Sequence, residues 1–197
     1  MRFLAVLISY LLGAIPVGYI TCKYWKGLDI LRHGSGNIGF TNVLRTAGKG
    51  PAAVVLVGDI GKGALAAYLG KYISGENWGI ICGVAAMLGH SYSVFLKFKG
   101  GKLISTGAGV LFVLAPEIGG IAAATWLLML AVTRYVSMAS ITAGIIVPVS
   151  MVILRKSAPM IVFGLAAAVF VIYRHRDNIR RLLAGQEYKI GQKAAPK

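Results

Sequence analysis

The sequence predicts an all-α polytopic membrane protein of about seven transmembrane helices, some of them short. Three observations carry this. Hydrophobic residues make up 57% of the 197-residue chain, with a mean hydropathy of +0.73. Charged residues make up only 14%, against roughly 25% in a soluble domain, too few to form a polar skin. Apolar blocks recur along the whole chain, several near the ~20 residues that a straight membrane crossing needs. Residues 1–197 are assigned to a single membrane domain.

The first block, RFLAVLISYLLGAIPVGYITC at 2–22, stays apolar past Pro16 and lacks a clear small-x-small cleavage site. It therefore reads as a span and not as a cleaved signal peptide. Further blocks lie at 51–70, 78–96, 103–115, 118–133, 139–154 and 159–173. The fourth and fifth are separated only by Pro116 and Glu117, and fit either short helices or one re-entrant element. Seven spans place the termini on opposite faces. With the N-terminus outside, segments 23–50, 97–102, 134–138 and 174–197 lie inside and hold 16 of the 21 Lys and Arg. That bias sets the N-terminus outside and the C-terminus in the cytoplasm. The Arg155-Lys156 pair runs against it.

The same bias accounts for the net charge of +15. No long basic tract is interleaved with aromatics, so nucleic acid is not an expected partner. Cys22 and Cys82 both lie in apolar stretches and imply neither a disulfide framework nor a metal site. No His/Cys/carboxylate cluster has ligand spacing, so neither a metal nor a cofactor is expected.

Gly34-x-Gly36-x-x-Gly39 in GSGNIGFTN has the form of a dinucleotide fingerprint, with Asp59 twenty residues after Gly39. A dinucleotide site needs a buried strand before the glycines and a βαβ unit around them. Here KYWKGLDILRH precedes and an apolar span follows, so that reading fails. The glycines still allow successive backbone N–H groups to wrap an anion.

Polar residues gather in the inside loops. Ser35, Asn37, Thr41, Asn42 and Arg45 share the first. His90, Ser91, Ser93, Lys97, Lys99, Gly100, Gly101, Lys102, Ser105 and Thr106 share the second. Arg134, Ser137 and Ser140 mark the third, and His175, Asn178, Arg180 and Arg181 the fourth. Glycine-flanked donors beside Lys and Arg form an anion-binding inventory. Apolar helix ends beside them suit a substrate with a polar head and a lipid tail. Asp59 and Lys62 stand inside an apolar block, where ionisable groups are costly and usually paired or functional. Their i,i+3 spacing favours a structural pair orienting the first loop, with a proton relay as the alternative.

SGNIGFTNVLR at 35–45, DIGKG at 59–63, GHSYSVFLKFKGGK at 89–102, RYVSMAS at 134–140 and RHRDNIRRLLAGQE near the C-terminus together resemble the bacterial acyl-phosphate-dependent glycerol-3-phosphate acyltransferases. The five stretches run in order over almost the whole chain. One departure is visible. After Gly-Gly-Lys the family usually has Gly-Val-Ala-Thr, whereas this chain has Leu103-Ile104-Ser105-Thr106.

The resemblance implies a seven-helix bacterial inner-membrane enzyme whose active site faces the cytoplasm. It implies transfer of a fatty acyl group from acyl phosphate to the sn-1 hydroxyl of glycerol 3-phosphate, giving lysophosphatidate and phosphate. Its partners would be those two substrates and the lipid bilayer, with no obligate protein partner. None of His33, His90 and His175 has an Asp five positions later, so the His-Asp base of soluble-type glycerolipid acyltransferases is absent in that form. Ser35, Arg45, Lys102, His175 and Asn178 are assigned catalytic roles. Gly36, Asn37, Gly39, Thr41, Asn42, Gly100, Gly101, Thr106 and Ser140 join them in binding substrate. Ser35, Thr41 and Asn42 are placed on the acyl-phosphate side, Arg45 and Lys102 on the anionic charge of both reactants, and His175 and Asn178 on glycerol 3-phosphate, with Ser140 nearby. The competing class is a transporter or flippase for a phosphorylated or lipid substrate. Clusters on one face and the lack of an evident inverted repeat argue against it.

Overall fold

The computed structural model describes residues 1–192. Ten α-helices follow one another among them: α1 (Arg2–Ala14), α2 (Val17–Lys26), α3 (Phe40–Thr46), α4 (Lys49–Ser74), α5 (Glu76–Ser91), α6 (Ile104–Leu114), α7 (Pro116–Thr133), α8 (Val136–Ile153), α9 (Ala158–Arg174) and α10 (Arg176–Leu183). The described residues contain no strand, only an isolated antiparallel bridge between Ser93 and Lys99.

Each apolar block becomes helix, with three revisions. The first block breaks at Ile15-Pro16, because proline has no N–H to continue the ladder. It then runs on to Lys26, where Gly27 closes it at φ 62°. The third block stops at Ser91, and Val94–Leu96 form a short 3-10 turn in place of further span. The fourth and fifth blocks are two helices, α6 and α7, of 11 and 18 residues. Judged by length and apolarity, four described elements can cross a membrane: Arg2–Lys26, Lys49–Ser74, Pro116–Thr133 and Val136–Ile153. α9 and α10, bent by 58° from each other, make a fifth if they form one span.

The described residues divide into two compact units, Met1–Val110 with Gly191 and Gln192, and Leu111–Ile190. In the first, α4 and α5 pack together and α1 lies against both. The contacts are made by small residues. A Cβ on Gly13 would lie 2.1 Å from the Ala86 carbonyl oxygen, and one on Gly89 would lie 2.2 Å from that of Tyr10. α1 and α5 can therefore approach backbone to backbone, as lipid-embedded helices do when small residues line their seam. In the second unit α7, α8 and α9 pack in sequence.

Inward and outward faces are inverted relative to a soluble protein. α1 buries Ala5, Ser9, Gly13 and Ala14 while leaving Phe3, Leu4 and Leu7 exposed. α7 exposes Leu127, Leu128 and Val132. Large apolar side chains outside and small ones inside are what a hydrocarbon solvent selects. Lys156, of the pair that runs against the charge bias, is ion-paired with Glu117.

Candidate active site

In the first unit the glycine loop runs from a 3-10 turn, Ile30–Arg32, into α3. No strand precedes it, so the dinucleotide reading is excluded by context. Gly34 and Gly36 have φ of 56° and 70°, the left-handed backbone that glycine adopts without steric cost. They flank exposed Ser35. Gly39 has an ordinary φ and caps α3.

The loop is held by amides. Asn42, 2% exposed, accepts from Ser35 N–H at 2.9 Å. It donates to the carbonyls of His33 at 3.0 Å and Asn37 at 2.8 Å. Its carboxamide is thus the staple of the loop on which the substrate contacts are expected. Asn37 accepts from Gly39 N–H at 2.8 Å and donates to the Gly100 carbonyl at 3.5 Å. The first and second polar loops therefore meet. Thr41 and Arg45 lie one helical turn apart on α3, with Arg45 half-buried.

The second loop reaches Lys102 through a tight reversal. Lys97 and Phe98, at φ 52° and 60°, form its exposed tip, and Gly101 N–H donates to the His90 carbonyl at 2.9 Å. Lys102 is half-buried where the turn enters α6. Leu103, at the position where the family favours glycine, has φ 58°. A leucine thus holds the left-handed backbone that glycine adopts without steric cost. Thr106 is fully buried and its hydroxyl finds no hydrogen-bond partner.

Beneath these loops lies a buried ionic group. Lys62 Nζ is 2.8 Å from Asp59 Oδ1, and His90 Nδ1 is 3.5 Å from the same oxygen. Lys62 also donates to the Ile15 carbonyl at 3.0 Å, beside the break between α1 and α2. The pair expected from the i,i+3 spacing therefore forms. It braces that break and faces His90 in the last turn of α5, a different place from the expected first loop.

The second unit holds the other cluster. His175, 4% exposed, closes α9, and its Nδ1 lies 2.8 Å from the Val171 carbonyl. A carbonyl only accepts, so Nδ1 carries the proton and Nε2 is the basic nitrogen of the neutral ring. Asn178 donates to Glu187 Oε1 at 2.7 Å, Ser137 donates to the same oxygen at 3.0 Å, and Arg181 Nε reaches Oε2 at 2.7 Å. Ser140 accepts from the Trp126 indole at 3.1 Å. Glu187 thus ties α8 to α10, a role that sequence reasoning missed. The available signal was its scarcity, since the chain has only six acidic residues and a carboxylate beside an Arg-rich amphipathic segment invites pairing.

The first unit offers a pair of glycine-containing loops with Arg45 and Lys102, and the second a buried, oriented imidazole three residues before Asn178. Comparisons with known proteins identify the family. The family model for glycerol-3-phosphate acyltransferase matches residues 3–185. A glycerol-3-phosphate acyltransferase of Carboxydothermus hydrogenoformans is 44% identical over 191 residues, covering 97% of each chain. One from Synechococcus sp. (strain JA-2-3B'a(2-13)) is 47% identical over 190 residues, covering 96% of this chain and 95% of the other. Among solved structures, PlsY (YgiH), an integral membrane glycerol 3-phosphate acyltransferase, is 37% identical. Its glycerol 3-phosphate form superposes with a TM-score of 0.92 over 96% of both chains, and its lysophosphatidic acid form with 0.90 over 96% of this chain and 95% of that one. Over nearly its whole length, then, this chain belongs to the glycerol-3-phosphate acyltransferase family.

Proposed function

We propose that the protein transfers a fatty acyl group from acyl phosphate to the sn-1 hydroxyl of glycerol 3-phosphate. The hydroxyl oxygen bonds to the acyl carbon, the bond from that carbon to the phosphate oxygen breaks, and the proton leaves with the phosphate. The products are lysophosphatidate and inorganic phosphate. The observation that carries this reading is the junction of the two polar loops through Asn37 and Gly100, found in a chain that matches the family from residue 3 to 185. Arg45 on α3 follows one of these loops and Lys102 ends the other, and cations beside backbone donors suit anions with phosphate chemistry.

Arg45, Lys102, Ser35 and Thr41 are assigned to the phosphate groups, and His175 and Asn178 to glycerol 3-phosphate. Five of the six carboxylates are committed to ion pairs with Arg or Lys. The Nδ1 of His175 is oriented by a neutral carbonyl, which stabilises an imidazolium less than the carboxylate of a catalytic triad does. Both observations favour substrate-assisted chemistry. The donor's own phosphate oxygens accept the proton, directly or through water, while Arg45, Lys102 and the glycine loop stabilise developing charge. We further assign residues 1–197 to one functional membrane domain with seven spans, the N-terminus outside, and the polar loops and C-terminus in the cytoplasm. Its location is the bacterial inner membrane. Residues 193–197 of that assignment lie outside the described residues.

The deciding experiment supplies purified protein with palmitoyl phosphate and glycerol 3-phosphate and measures phosphate release and lysophosphatidate. Release that requires glycerol 3-phosphate supports the reading. No turnover by folded protein with this donor overturns it.

A further inference from the structure

Gly101 is where the buried ionic group meets the second loop. A Cβ built there would lie 2.0 Å from His90 Nε2, 2.6 Å from its Cε1 and 2.9 Å from its Cδ2. These three nearest atoms all belong to one imidazole. The φ of Gly101 is not in the left-handed region, so alanine is excluded there by the ring and not by the backbone. Gly100 differs, since its Cβ would meet the main-chain carbonyl oxygens of His90 and Ser91 at 2.2 and 2.6 Å.

Behind the ring stand Asp59 and Lys62, and Lys62 is tied to the Ile15 carbonyl. His90, Asp59 and Lys62 are each no more than 4% exposed. Three ionisable groups buried together in an apolar unit are costly and call for a function. The reaction as described above uses none of them.

We propose that His90 is a positioning residue. Its imidazole, 3.5 Å from the carboxylate of the Asp59-Lys62 pair, is the platform on which Gly101 rests, and it fixes where the Gly100-Gly101-Lys102 turn presents its backbone and ammonium to a bound phosphate. The proposal rests on the reading of that turn as a phosphate site. A glycine seated on a flat ring is held by direct contact, and the ring in turn faces the carboxylate of an ion pair on α4. Displacing a group that positions a substrate by about 1 Å costs on the order of 10²-fold in rate.

The test is a rescue. Phosphate release from palmitoyl phosphate and glycerol 3-phosphate is measured for Gly101→Ala, His90→Ala and the double variant. Gly100→Ala is measured with and without His90→Ala, and Lys102→Ala alone. Gly101→Ala is expected to lose about a hundredfold in kcat/KM and His90→Ala about tenfold. The double variant is expected to return to the His90→Ala level, tenfold above Gly101→Ala, because the clash has gone. Gly100→Ala is expected to stay inactive in both backgrounds, since its obstacle is backbone. A double variant at or below Gly101→Ala, or a His90→Ala protein equal to wild type, overturns the proposal. If His90→Ala does not fold, Asp59→Asn replaces it. That variant leaves the Lys62 ammonium buried without its carboxylate and should melt lower; in the folded protein it is expected to raise KM for at least one substrate, and unchanged KM values overturn the proposal. Wild-type activity in Lys102→Ala instead overturns the phosphate-site reading beneath it, whereas a severe Lys102→Ala loss without rescue fails the platform alone.

Discussion

Lys97 and Lys102 stand five residues apart, yet their surroundings separate them. Lys97 is exposed at the tip of a reversal, where its charge is solvated. Lys102 is half-buried directly after two glycines. A charge-assisted hydrogen bond to an anion contributes about 1.5–3 kcal/mol, more in a partly dry site. Lys102→Ala should therefore lose at least about tenfold in kcat/KM, and Lys97→Ala less than twofold; equal mild effects would remove the turn from the site. His175 carries the second residue-scale prediction. With Nε2 as its basic nitrogen, the ring can accept a hydrogen bond from glycerol 3-phosphate without taking its proton. His175→Gln should then raise the KM for glycerol 3-phosphate and keep appreciable kcat at saturation. A kcat loss of about 10³ at constant KM, with disappearance of a pH-rate limb near 6–7, would make His175 the general base. Leu103 poses a question of magnitudes. Its left-handed backbone costs roughly 1–2 kcal/mol, which glycine would relieve. Its side chain is 2% exposed, and truncating a buried leucine costs about 2.7–5 kcal/mol. Burial wins, so Leu103→Gly should lower the melting temperature although the backbone prefers it; a rise would show that the strain is the larger quantity.

At the scale of elements, the helices were legible because hydropathy alone marks a lipid-facing segment. The block at 103–115 and α6 at Ile104–Leu114 differ by one residue at each end. The break at Ile15-Pro16 was written in the proline, but continuous apolarity masked it. The early end of α5 was masked in the same way, because Val94, Phe95 and Leu96 are as apolar as a span and yet stand partly or fully exposed on a turn. The polar residues of the site were legible as clusters, whereas their division of labour was not. Nothing in spacing says that Asn42 turns inward to staple the loop, that His90 lies under Gly101, or that Glu187 ties α8 to α10. Such roles depend on hydrogen bonds between segments distant in sequence. The Asn42 staple makes its own prediction. Asn42→Asp keeps the shape but points an acceptor at the carbonyls of His33 and Asn37. Two buried carbonyls left unsatisfied cost about 1–3 kcal/mol each. The variant should therefore melt several degrees below wild type in detergent and lose activity, and Asn42→Ala should do less harm than Asn42→Asp. The reverse order would mean that the carboxamide mainly serves substrate.

For the whole molecule the governing fact is an asymmetry of charge along an apolar chain. Lipid exposure explains why large side chains face outward and small ones line the α1–α5 seam, but it leaves open which end faces which compartment. That choice follows from where Lys and Arg sit, because translocating them is disfavoured. The segments placed inside hold 16 of 21 basic residues; among these, Lys193 and Lys197 lie outside the described residues. The opposite orientation would move all 16 to the far side. Labelling of single cysteines tests this directly. Cys22 and Cys82 are buried, so their background reactivity is low. Lys26, exposed at the end of α2, is a sounder site than Gly27, whose left-handed φ of 62° a cysteine would strain. In intact cells, Lys26→Cys and Gln192→Cys should resist an impermeant maleimide and react only after permeabilisation. Glu76→Cys, exposed at the turn into α5, should react at once. Labelling of position 26 from outside would invert the first loop, carry its glycines and Arg45 to the outer face, and overturn the proposed cytoplasmic active site with it.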